Sequence, residues 1–205
     1  MSRHTSSFTR AKNMLTSPAS EWHVIALETA TPRSLLVSYV MPMALIPAIA
    51  CFIGYSLVGI DAVAVRIGGI SWGLFMGLDS FVSSLIVYGI GVYAVNALAP
   101  AFQSERNIGR SAQLVAYSYT AVWVAGIFYF YPPLAMLSVI ALFGVYLFYL
   151  GIPVLKTIPG DQRIAYTIVS AIVMIVIRFL TALIISNLIY GLTGKSFPSL
   201  WYFTG

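Results

Sequence analysis

Charge is what this chain has least of. Only 8% of its 205 residues are Asp, Glu, Lys or Arg, against roughly 25% in an ordinary soluble domain. With 60% apolar residues, a water-soluble fold of this length could not hide its hydrophobic surface. Cysteine is nearly absent too: Cys51, inside a hydrophobic run, is the sole example, which excludes a disulfide framework and a thiolate metal site. The two histidines, His4 and His23, stand near the N-terminus away from any Cys or carboxylate cluster, so a zinc site is not expected.

Other absences narrow the function classes. Serines within the apolar runs have no histidine base, and no acid, base and nucleophile set is legible, so no enzyme chemistry and no cofactor is predicted. The net charge of +5 comes from Lys and Arg at the ends of hydrophobic runs. They form no patch with interleaved aromatics, which argues against nucleic acid. GLTGKS, residues 191–196, ends like a phosphate-binding loop, but Ile189 stands where its first glycine is required. The first 33 residues lack the apolar core and cleavage site of a signal peptide, so the N-terminus is expected to be retained.

Long apolar runs are what the chain does have, with a mean hydropathy of +0.90. Lipid offers no partner to backbone N–H and C=O groups, so each run of about 20 residues reads as a spanning helix. Five are expected: Ser34 to Ile60, Ser71 to Ala99, Ser111 to Phe130, Leu134 to Leu155 and Ile164 to Tyr190. Pro42 and Pro47 should bend the first, and Tyr131-Pro132-Pro133 should separate the third from the fourth. Gly69, Gly73 and Gly77 recur every four residues, a small-residue face for helix packing within the bundle or against a second copy.

Five spans place the termini on opposite sides. With the N-terminus inside, Arg3, Arg10, Lys12, Arg33, Arg106, Arg110, Lys156 and Arg163 are internal and only Arg66 and Lys195 external, which the positive-inside rule favours. Residues 17–28, SPASEWHVIALE, read as a short helix with Ser17 as N-cap and Pro18 at its first position. Trp22, Ile25 and Ala26 share a face suited to the headgroup layer.

Two charges fall inside spans. Arg178 lies near the middle of the fifth, where an arginine costs about 2.5–3.5 kcal/mol and must face the bundle and find a partner. Asp79, in the second, differs from it by roughly 9 Å in depth, a gap an extended arginine covers. An Asp79–Arg178 pair between the second and fifth helices is expected. It is either structural or part of an ion or solute pathway, which makes a small transporter or channel the alternative function.

Four stretches in order, PASEWHVIALE, SYVMPMALIPAIACFIGYSLVG, PAFQSERNIGRSAQLVAYSYTAVWVAGI and YLFYLGIPVLKTIP, give the chain from Pro18 to Tyr190 a resemblance to the Yip family of Ypt/Rab-interacting membrane proteins. The resemblance implies an all-α, polytopic transmembrane bundle of five spans with a cytoplasmic N-terminus. Eukaryotic members form oligomeric complexes, bind prenylated Rab GTPases and act in traffic between endoplasmic reticulum and Golgi. This chain has only about 33 residues before its first span and is more similar to short bacterial members of the inner membrane. Pro18, Trp22, Glu28, Pro42, Tyr117, Gly151 and Pro153 match the family pattern, which carries no catalytic residues. The expected organisation is an N-terminal segment (1–33), a five-helix Yip-like domain (34–190) and a C-terminal tail (191–205). The expected partners are the lipid bilayer, other membrane proteins and the chain itself, and the expected role is a scaffold or organiser.

Overall fold

The computed structural model describes residues 6–62 and 65–193. Two short helices, α1 (Ser7–Thr16) and α2 (Pro18–Ala26), precede five apolar helices long enough to cross a membrane: α3 (Pro32–Val58), α4 (Ile70–Phe102), α5 (Ile108–Phe130), α6 (Pro132–Leu155) and α7 (Arg163–Thr193). The architecture is an all-α bundle of five such helices, as the hydropathy pattern requires. One addition to that pattern is a small antiparallel hairpin joining α3 to α4, with β1 (Ile60–Ala62) pairing β2 (Val65–Ile67) so that Ile60 faces Ile67.

Local chemistry explains the breaks in the helices. Thr31 and Ser34 form a capping box that starts α3 at Pro32, satisfying backbone donors that the first turn leaves free. Within α3, a π turn over Leu36–Val40 precedes Pro42. In an α-helix the carbonyl that Pro42 could not serve is that of Ser38, and it receives the Ser7 hydroxyl at 2.6 Å. The proline therefore creates an attachment point for α1. In α6, the residues Pro132–Leu142 form a 3-10 segment before the α-helical Phe143–Leu155.

Gly73 and Gly77 are taken up inside the bundle. A Cβ on Gly77 would lie 2.8 Å from the Ala48 carbonyl oxygen, and one on Gly73 would meet the Ser56 backbone nitrogen at 2.7 Å, so both let α4 approach α3 closely. Gly69 meets α3 differently, donating its backbone N–H to the Tyr55 carbonyl at 3.1 Å. It precedes the first turn of α4 with a φ of +112° and has open space around its α-carbon, a conformation that other residues rarely adopt.

The expectation for α2 is corrected. Trp22 and Ile25 are fully buried and face the bundle rather than a headgroup layer, while Ala26 packs at the edge of the same core. An apolar stripe on a short helix suits lipid and protein equally, and here α5 and α6 supply the better-packed partner. α1 was not foreseen. Its ten residues would be marginal as an isolated helix, and its Ala11 and Met14 are buried in the common core.

Candidate functional site

The polar groups gather at the end of the bundle that carries the N-terminus, here the N-terminal face. Arg10 on α1 is at its centre. Its guanidinium pairs through Nη1 with Glu21 of α2 and through Nη2 with Glu28 just beyond α2. Arg10 and Glu21 are both buried. Asn13 donates to the second Glu21 oxygen at 3.0 Å, and the Tyr117 ring lies beneath the guanidinium, 5.7 Å from its carbon to the ring centroid. A buried ion pair is tolerated when its remaining hydrogen-bonding positions are filled, and here α1, α2 and α5 fill them. Burial alone would pull the Arg10 pKa down, but Glu28, Tyr117 and Glu21 more than offset it and hold the group above its ordinary value. It therefore stays charged at any working pH.

The end of α2 is secured from α5. Gln113 donates its amide to the carbonyls of Ile25 at 3.1 Å and Glu28 at 3.0 Å, and Arg110 donates to Ala26 at 2.9 Å. The Ile25 and Ala26 carbonyls belong to the last turn of α2, where internal donors run short and positive charge is favoured, and Glu28 follows just beyond it. Trp22 inserts between α5 and α6. Its indole N–H donates to the Leu147 carbonyl at 3.1 Å, and its ring meets Tyr117 edge-on at 6.3 Å. Tyr39 of α3 completes the aromatic group, 4.8 Å from Tyr117 and hydrogen-bonded to Thr120 at 2.6 Å.

Gly151 makes this insertion feasible. A Cβ there would lie 2.7 Å from Leu114 Cδ1 and 2.8 Å from the Trp22 ring. Gly151→Val is expected to push Trp22 out of its slot and destabilise the protein by about 1–3 kcal/mol. Thermal melting in detergent measures the loss, and Trp22→Leu in the same chain should recover part of it, because the two sites are in contact.

Of the seven residues matching the family pattern, the structure brings Trp22, Glu28, Tyr117 and Gly151 into this one cluster. Pro18 opens α2 at its first turn, and Ser17 precedes it without a side-chain cap. Pro42 acts at one remove through the Ser38 carbonyl, and Pro153 is exposed on α6. Arg10, Glu21 and Gln113 are the residues sequence reasoning missed. Their partners lie on other helices, and no local spacing relates them.

A second buried cation lies nearby. Lys156, just past the end of α6, is 6% exposed and donates to Ser111 Oγ at 2.8 Å. Ser111 in turn donates to Asn96 at 3.1 Å. Among the described residues no carboxylate lies within ion-pair distance of Lys156. Burial pushes its pKa down to about 8, below the ordinary lysine value of about 10.4. The folded state therefore holds fewer protons than the unfolded state between those two values, and stability should rise with pH across that window. The gain over Lys156→Met should grow from pH 8 to 10, read as the difference between the two melting temperatures in one detergent.

Inside the spans, the structure places Asp79 of α4 and Arg178 of α7 together, with Nη2 to Oδ2 at 3.9 Å. Ser83 sits between them, donating to Asp79 Oδ1 at 3.3 Å and accepting from Arg178 Nη1 at 3.4 Å. The Asp79 side chain is buried, whereas that of Arg178 is 41% exposed. Among the described residues no group of three or more His, Cys, Asp or Glu is positioned to hold a metal.

Comparison with known proteins follows the same outline. The family model of the Yip1 domain matches residues 12–197. Inner membrane protein YohC of Escherichia coli K12 is 26% identical over 181 residues, covering 85% of this chain and 93% of its own. YohC of Escherichia coli O6:H1 strain CFT073 gives the same figures. No solved structure matches the chain.

Proposed function

The chain belongs to the Yip1-domain family, and from that premise we propose that it is a non-enzymatic organiser of a bacterial inner membrane. It binds other membrane proteins or lipid through its N-terminal face, which lies in the cytoplasm. The inner-membrane relatives and the Lys and Arg distribution support the location and sidedness.

The docked α1–α2 pair is the observation that carries the role. A buried ion network, an inserted tryptophan and a capped helix end hold this pair on the bundle. Its outer surface leaves Phe8, Val24 and Leu27 exposed, with Leu27 at 88%, beside the exposed Lys12. A rigid surface of apolar and basic side chains outside the spans suits docking to proteins or headgroups. Gly73 and Gly77 are occupied by α3, so self-association would use another surface.

A photoreactive amino acid at Leu27 is expected to give discrete crosslinked species in native membranes, and the same group at Ile70, at the opposite end of the bundle, is not. Arg10→Ala should abolish the Leu27 products. A strictly uncrosslinked chain from every N-terminal-face position refutes the proposal, and a cytoplasmic C-terminal tag refutes the orientation.

A transport reading has one observation in its favour, the partial exposure of Arg178 within an apolar span. It requires ion or solute flux in proteoliposomes that Asp79→Asn alters. The bridging Ser83 and the buried Asp79 favour a structural pair.

A further inference from the structure

A cavity of about 370 Å³ lies between α5, α6 and α7, within the size range of small-molecule sites. Its walls include Val122, Phe148 and Met174, and its rim residues Leu142 and Ile175 are exposed. All belong to helices long and apolar enough to span, so the space outside the rim is hydrocarbon.

Two buried hydroxyls distinguish this cavity from an ordinary lipid-facing groove. Ser118, 3% exposed, and Ser170, 1% exposed, both line it; among the described residues neither Oγ has a partner at hydrogen-bonding distance and geometry, and the Tyr166 hydroxyl beside Ser170 gives its own proton to the Val95 carbonyl. Hydroxyls in spanning helices commonly return to the carbonyl four residues earlier, as Ser38, Ser84, Thr167 and Thr181 do here at 2.7–2.8 Å. Ser118 and Ser170 do not, and an unmade hydrogen bond inside a membrane is costly. A water cluster is a poor filler, because an apolar cavity of this kind supplies too few polar partners.

The chemistry of the walls restricts what fits. No lining side chain carries a charge, so complementarity calls for a neutral occupant. Counting 1.5 Å per residue from the N-terminal ends of α5 and α7, both serines lie about 10–15 Å into the bundle, in the inner part of a hydrocarbon layer about 30 Å thick. A phospholipid keeps its charged headgroup at the interface. A lipid without one can carry its oxygen group deeper.

We propose that this cavity is a binding site for a neutral membrane lipid, whose hydroxyl or carbonyl oxygen is held by Ser118 and Ser170 while its chain lies along the apolar walls. The shared chemistry fits a diacylglycerol or a long-chain quinone. Both reach the site laterally from the bilayer, between α6 and α7.

The test uses the full chain in phosphatidylethanolamine–phosphatidylglycerol nanodiscs with a diacylglycerol bearing a photoreactive diazirine in one acyl chain. Labelling should concentrate on peptides of α5 and α7 around Ser118 and Ser170. Excess dioleoylglycerol or a decyl-chain ubiquinone should displace it, and whichever competes better identifies the source, whereas extra phosphatidylglycerol should not. Ser118→Ala with Ser170→Ala should weaken labelling about tenfold, the loss of two modest hydrogen bonds. Ala171→Phe, which fills the cavity from a half-buried wall position, should abolish it and gives a second reading where the serine variant folds poorly. Labelling spread evenly over the exposed helices, displacement by phosphatidylglycerol alone, or labelling unchanged in both variants overturns the proposal.

Discussion

Arg10→Ala is expected to release the N-terminal helices from the bundle and to lower stability by about 3 kcal/mol, since it strands the buried Glu21 carboxylate without its counter-charge. Glu28 also loses its partner, but its side chain is 38% exposed, so water replaces part of that interaction. The loss should be local before it is global. Hydrogen exchange should speed up in α1 and α2, and a protease should cut between α2 and α3, while α4 and α7 stay protected. Arg10→Met with Glu21→Gln should recover much of the docking, because no charge is then left buried alone. An unchanged exchange pattern in Arg10→Ala would mean that Trp22, Ile25 and Met14 hold the helices by packing alone.

The second large effect is expected at the intramembrane pair. Asp79→Arg places two cations at one site, and Arg178→Asp places two carboxylates there. Each should cost about 3 kcal/mol or more and reduce the folded, membrane-inserted yield. The double exchange restores neutrality and should regain a substantial part of both losses. Because Ser83 accepts from Arg178 and donates to Asp79, its hydroxyl can serve the exchanged pair by turning. Recovery in the double variant establishes an energetic coupling between α4 and α7. Two singles that fold and melt like the parent would mean separately solvated charges, and flux measurements would then take priority.

Together these variants separate two layers of the molecule. Arg10 is expected to govern whether the N-terminal face presents a fixed surface, and Asp79 with Arg178 how α4 and α7 meet below it. The crosslinks at Leu27 should therefore be lost with Arg10→Ala and retained in the double exchange of Asp79 and Arg178.

The sequence by itself determined the number of spans, their approximate limits and the all-α class. Those properties follow from a local quantity, because a run of about 20 residues either can or cannot leave water with its backbone bonds satisfied internally. Tyr131-Pro132-Pro133 marked the turn between α5 and α6 for an equally local reason, the missing donor and the fixed φ of proline. The tertiary structure alone decided where the apolar face of α2 goes and which helix receives Gly73 and Gly77. It also decided that Arg10 is buried between two carboxylates. An apolar stripe has the same period whether it meets lipid or protein, so Trp22 could not declare its partner. Arg10 and Tyr117 are more than a hundred residues apart, and only the packing of α1 and α2 across α5 and α6 brings them into one site.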